Sequence, residues 1–109
     1  MQKFDIGNVT QWIYPGIAAD YAMRCVGDCM QPTFNEGEYV LIHRQQTFTD
    51  GQIVAVRVNG RLMLKRAYRT EGGRVLFVMD NKKHRPFTAA AAEVEVLGIA
   101  VARGAAQNG

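Results

Sequence analysis

The chain is poor in residues that staple, bind metals or break a fold: two cysteines, two histidines and three prolines among 109 residues, with one tryptophan. Each shortage excludes something. Cys25 and Cys29 fall on a strand and at the turn that follows it, a placement with poor geometry for a disulfide, so both read as free thiols. His43 and His84 stand far apart and outside any Cys/His spacing that marks a metal site; both read as surface residues, and no metal or cofactor is expected. No apolar run approaches the roughly 18 to 20 residues that span a bilayer, and no charged start leads into an apolar stretch. A cytoplasmic chain without a membrane partner is the expectation. A helix-turn-helix pattern is missing as well. Net charge is only +3, and the one basic cluster, Lys82-Lys83-His84-Arg85, lacks interleaved aromatics. It reads as a solvated loop rather than a nucleic-acid surface.

What is present is the composition of one globular domain, with 48% hydrophobic and 21% charged side chains and enough length to bury a core. Residues 1–19 are aperiodic: Gly7, Pro15 and Gly16 interrupt any regular element, and Trp12, Ile13, Tyr14 and Ile17 offer apolar anchors. This stretch reads as an amino-terminal arm or linker, and residues 20–109 as the domain. From Tyr21 onward, strands alternate with turns. Tyr21 to Val26, Tyr39 to His43, Ile53 to Val58, Arg61 to Lys65, Val75 to Val78 and Val94 to Ala102 are the expected strands. Asn59-Gly60 between two of them is a strong hairpin signal, and Asp50-Gly51 and Gly72-Gly73 mark further turns. Only Ala89 to Glu93 suits a helical turn. The fold class expected is all-β, a sandwich or barrel-like domain with little helix.

The stretch Met23-Arg24-Cys25-Val26-Gly27-Asp28-Cys29-Met30-Gln31-Pro32-Thr33 is where chemistry is expected. A strand that stops at Gly27-Asp28 can present the next side chain at a sheet edge, and Pro32 keeps the following residues from continuing the ladder. Cys29 then stands clear of the core; the bland alternative is a buried thiol acting as a small hydrophobe. Lys65 shares a strand face with Met63 and Ala67, whereas Leu62, Leu64 and Arg66 face the other way. Apolar neighbours disfavour an ammonium. The bland alternative for Lys65 is a solvated lysine that protects a sheet edge.

Several segments in order carry a resemblance: Cys25 to Pro32, Glu36-Gly37-Glu38-Tyr39-Val40, Asp50-Gly51-Gln52-Ile53-Val54, Leu64-Lys65-Arg66 and Leu97-Gly98-Ile99-Ala100. Over residues 20 to 102 the chain resembles the carboxy-terminal domain of LexA-like and phage repressors and their UmuD-like relatives. That family carries a serine and a lysine as a dyad that cuts the protein's own chain; the resemblance puts Cys29 at the serine and Lys65 at the lysine. A cysteine at the nucleophile position departs from the pattern. Gly27, Asp28 and Met30 then shape the turn whose backbone N–H groups would hold an oxyanion. A free thiol titrates near 8.5 and a free lysine near 10.4, so a close pair would rest as thiolate and ammonium, and slow amide cleavage is expected.

The resemblance also implies a homodimer, the chain's own amino-terminal segment as peptide substrate, a RecA-type filament as trigger, and DNA contact only through a domain outside this chain. Ala18-Ala19 is a weak candidate for the cut bond. Ile99 and Val101 are expected on an edge strand that pairs with a second copy. Two other readings stand beside this one: a dimerisation module with an inert Cys29, and a signal-peptidase-like protease, because Met30-Gln31-Pro32-Thr33-Phe34 also resembles the catalytic turn of that group.

Overall fold

The structure, a computed structural model, describes residues 19–104. The expected arm therefore lies outside the described residues except for Ala19, as do Ala18 and the apolar anchors Trp12 to Ile17. Seven strands follow: β1 Tyr21–Arg24, β2 Tyr39–Arg44, β3 Ile53–Val58, β4 Arg61–Arg69, β5 Arg74–Val78, β6 Phe87–Ala90 and β7 Val94–Gly104. A 3₁₀ turn, Ala91–Glu93, links the last two. The domain is all-β, as its strand and turn pattern implies. All seven strands join one antiparallel sheet in the order β1-β2-β7-β3-β4-β5-β6.

Local chemistry explains the hairpins. Asn59 and Gly60 both adopt positive φ, 50° and 80°, which is the twist that a two-residue connection between β3 and β4 demands. In β3 the β-branched run is buried on both faces rather than on one. Ile53 and Ala55 join a cluster with Tyr21, Met23, Cys25, Met30, Phe34, Val40, Ile42 and Leu64. Val54, Val56 and Val58 join another with Phe48, Ala67, Val75, Phe77 and Ala89. The two faces of β3 thus contribute to different core clusters, and β3 is the most enclosed strand of the sheet.

Strand β7 carries two irregularities. Leu97 is skipped in the pairing with β3, and Val101 in the pairing with β2. Such bulges bend and twist a strand. They let Leu97 and Ala100 pack on the first cluster while Val94, Val96 and Ile99 pack on the second.

Three expectations need correction. Strand β1 ends at Arg24, because Cys25 turns away to exchange bonds with the next segment: its N–H donates to Glu38 O at 2.8 Å and its carbonyl accepts from Gly37 N at 2.7 Å. The helical turn expected over Ala89 to Glu93 is present at Ala91–Glu93, but Ala89 and Ala90 belong to a strand, Phe87–Ala90, that was not expected. The open side of β5 captures it, with Phe77 opposite Phe87 and Val75 opposite Ala89, so pairing overrides the low β-propensity of alanine. Finally, β7 is an interior strand. Ile99 pairs with His43 on one side and Val54 on the other, so it offers no edge to a second copy; β1 and β6 are the edges.

Candidate active site

The turn after β1 is built from the core outward. Gly27 takes φ +90°, which a side chain would resist, and reverses the chain. Met30 is fully buried and Phe34 nearly so, and both anchor the turn in the first core cluster. Bonds from Gln31 N to Asp28 O (3.1 Å) and Phe34 N to Met30 O (2.9 Å) tighten it, and the Gln31–Pro32 peptide is cis. Cys29 sits between the anchors. Its side chain is partly buried and packs against the first cluster, so it is less clear of the core than a residue at a bare sheet edge would be.

Lys65 comes from β4. It lies opposite Val54, and alternation along the strand puts it on the face of Met63 and Ala67. The lysine is 8% exposed, the one buried charged side chain among the described residues. Its Nζ donates to Cys29 Sγ at 3.0 Å. The structure therefore brings together the thiol and the amine, which are 36 residues apart.

Around this pair the loop after β5 supplies a second set of groups. Asp80 accepts a two-pronged ion pair from Arg66, Nε to Oδ1 at 2.8 Å and Nη2 to Oδ2 at 2.7 Å, and a bond from Thr33 Oγ1 at 2.5 Å. Arg66 holds the Asp80 carboxyl below the usual carboxylate range, against the opposing pull of burial. Arg66 Nη1 also donates to Gly51 O, so three segments meet at one guanidinium. Asn81 donates to the turn twice, from Nδ2 to Asp28 O and from its own N–H to Cys29 O, both at 2.9 Å. Lys83 Nζ and His84 Nε2 each lie 2.8 Å from the Asp28 carboxylate. Lys83 first and His84 second hold that carboxyl down at about 2.

The neighbouring thiol is of a different kind. Cys25 is buried, and burial followed by the proximity of Cys29 pushes it up to about 11. Neither cysteine forms a disulfide. Gly27, Asp28 and Met30 all lie in the turn as expected, with Asp28 turned to the basic loop and Met30 to the core. The basic cluster is only partly a solvated loop, since Lys83 and His84 are committed to Asp28. The sequence assigns no site role to Thr33, Arg66, Asp80, Asn81 or His84; the stretch Asp80 to Phe87 reads there as a polar connection that resembles a family segment near the substrate channel, and nothing in it names the turn as its target. A groove of about 440 Å³ lined in part by Thr33, Phe34, Ile53, Arg66, Val101 and Arg103 opens nearby, without Cys29 or Lys65 in its wall. Among the described residues no cluster of three His, Cys, Asp or Glu is placed to hold a metal ion, and no helix is long and apolar enough to cross a membrane.

Comparison with known proteins gives the family. The Peptidase S24-like family matches residues 6–101. The chain belongs to that family. Among curated relatives, the LexA repressor of Marinobacter nauticus is 33% identical over 91 residues, covering 79% of this chain and 45% of the relative. LexA repressor 1 of Xanthomonas oryzae pv. oryzae is 38% identical over 74 residues, 66% of this chain and 36% of the relative. The LexA repressor of Shewanella piezotolerans is 30% identical over 95 residues, 84% and 45% respectively. This S24-like chain spans less than half the length of each of these relatives.

Proposed function

We propose that this chain is the peptidase and dimerisation domain of a LexA-like, cytoplasmic transcriptional repressor, and that it cuts its own chain with Cys29 as nucleophile and Lys65 as base. The observation that carries the reading is the 3.0 Å contact between Cys29 Sγ and a buried Lys65 Nζ within an S24-like chain. A nucleophile within hydrogen-bond reach of a base is the arrangement that covalent catalysis requires. The sulfur attacks the peptide carbonyl of a segment lying ahead of β1. Turn amides around Gly27 to Met30 hold the negative oxygen of the tetrahedral intermediate. Lys65 returns the proton to the departing amine, an acyl-thioester remains on Cys29, and water hydrolyses it. Sulfur is larger than the oxygen that the family's pattern carries at this position and crowds the site, and amide cleavage is slow.

Dimerisation, a RecA-type filament as trigger, and DNA contact through a part of the repressor beyond this chain follow from the same reading. The test is alkylation of Cys29 in a Cys25→Ala background, with and without Lys65→Ala. If Lys65 acts on the thiol, its removal slows alkylation at neutral pH by about tenfold or more while the dimer persists. A slow reaction that ignores Lys65 would refute the dyad and leave a dimerisation module.

A further inference from the structure

The catalytic reading above leaves one residue of the 80s loop without a task, although it makes two contacts with the nucleophile's own backbone. Asn81 Nδ2 donates to Asp28 O, and Asn81 N–H donates to Cys29 O, each at 2.9 Å. Those carbonyls belong to the two peptide units that flank the Cys29 Cα. A peptide unit is planar and trans, so its N–H points opposite to its C=O. Holding Asp28 O therefore sets the direction of the Cys29 N–H, and holding Cys29 O sets the direction of the Met30 N–H. Both amides face away from the loop.

Asn81 is itself held. Its Oδ1 accepts from Lys83 N at 3.2 Å, which turns the amide so that Nδ2 faces Asp28. Its carbonyl accepts from His84 N at 3.1 Å, and its neighbour Asp80 is clamped by Arg66. The loop is thus a rigid bracket. A bracket of this kind matters most where a backbone donor must be in place before negative charge develops on an oxygen.

We propose that Asn81 is a positioning residue that aims the backbone N–H of Cys29 at the oxyanion of the acyl-transfer step; this rests on the reading of Cys29 and Lys65 as the reactive pair. Asn81 touches neither substrate nor thiol. Its effect is confined to reactions in which a carbonyl oxygen becomes negative, and a simple displacement at sulfur does not need it.

The experiment uses the full chain with Cys25→Ala and two electrophiles. With p-nitrophenyl acetate, the thiolate adds to the ester carbonyl, the electron pair moves to the carbonyl oxygen, and on its return p-nitrophenolate leaves and the thioester remains. With iodoacetamide, the sulfur displaces iodide and no oxyanion forms. Asn81→Ala and Asn81→Asp lower the ratio of acylation to alkylation by at least about tenfold, within the range that loss of an oxyanion donor produces. Asn81→Asp is the second variant because it keeps an acceptor for Lys83 N and the shape of the side chain while removing the donor. Its added charge acts on the oxyanion as well as on the thiolate, so Asn81→Ala, which adds none, is the deciding variant. An unchanged ratio in Asn81→Ala overturns the proposal. Lys65→Ala, run in parallel, slows both reactions; if it slows neither, the dyad itself is wrong, and if it slows both while the Asn81 variants leave the ratio alone, only the role of Asn81 is wrong.

Discussion

Removing the charge of Asp80 is the perturbation that most directly probes how the candidate site is held. Asp80→Asn keeps the side chain's size and its acceptor oxygen for Thr33, and removes one half of the two-pronged contact with Arg66 at 2.8 and 2.7 Å. The side chains are 11% and 30% exposed, so the pair is neither a surface ion pair nor a fully dry one. Surface pairs contribute about 0–1 kcal/mol, and breaking a buried one costs about 3–5 kcal/mol. Arg66 keeps Gly51 O as a partner and partial access to water, which places the expected loss between those limits, at about 2 kcal/mol. With a urea slope of about 1.3 kcal/mol/M for a domain of this size, the unfolding midpoint falls by roughly 1.5 M. The pH dependence has a definite sign. Arg66 depresses the Asp80 carboxyl in the folded state, so the stability it contributes is present above the unfolded value of about 3.9 and is lost as pH falls through the lower folded value. The gap between the original chain and the variant is therefore constant around neutrality and closes in acid below about pH 4. Urea titrations followed by tyrosine and tryptophan fluorescence at several pH values measure it. A midpoint change under about 0.3 M at neutral pH, or a gap that persists undiminished in strong acid, would refute the reasoning.

Other outcomes follow from the same packing. At Gly98 an added methyl would sit 2.4 Å from His43 O and 2.6 Å from Ile42 Cγ2, with β2 and β3 paired on either side, so Gly98→Ala forces backbone apart. A loss of about 3 kcal/mol in thermal or urea unfolding is expected, and a loss under about 1 kcal/mol would show that the strand yields easily. Cys25, buried and pushed up to about 11, carries about a hundredfold less thiolate at neutral pH than an ordinary thiol. Mass spectrometry after brief alkylation therefore finds Cys29 labelled and Cys25 untouched in the native chain, with both labelled in urea; equal native labelling would contradict the packing.

Much of the molecule was readable from local chemistry. Asn59-Gly60 specifies its own turn because the two-residue hairpin needs positive φ at both positions, and the runs Ile53 to Val58 and Arg61 to Lys65 could only be partners across it. The proposed pair, Cys29 and Lys65, was readable for a related reason. A glycine turn ending at Cys29 and the alternation that separates Lys65 from Arg66 are both short-range patterns, and the family resemblance put the two in register. The order of strands was not readable. Nothing in Val94 to Gly104 says that it enters between β2 and β3, so Ile99 was expected at an edge that it does not occupy.

The residues around the site divide in the same way. Composition, turn chemistry and side-chain alternation by themselves determined an all-β domain, a glycine turn carrying Cys29, and a lysine on an apolar strand face, because each depends on neighbours within a few positions. Only the tertiary structure decided that Lys65 Nζ meets Cys29 Sγ, that Arg66 reaches Asp80, and that Asn81 and His84 close on Asp28. Those contacts join residues 14 to 56 positions apart through the pairing of β4 with β5 and the return of the chain into β6. A hydrogen bond between loops is set by where the strands beneath them are anchored, and that anchoring is a property of the whole sheet.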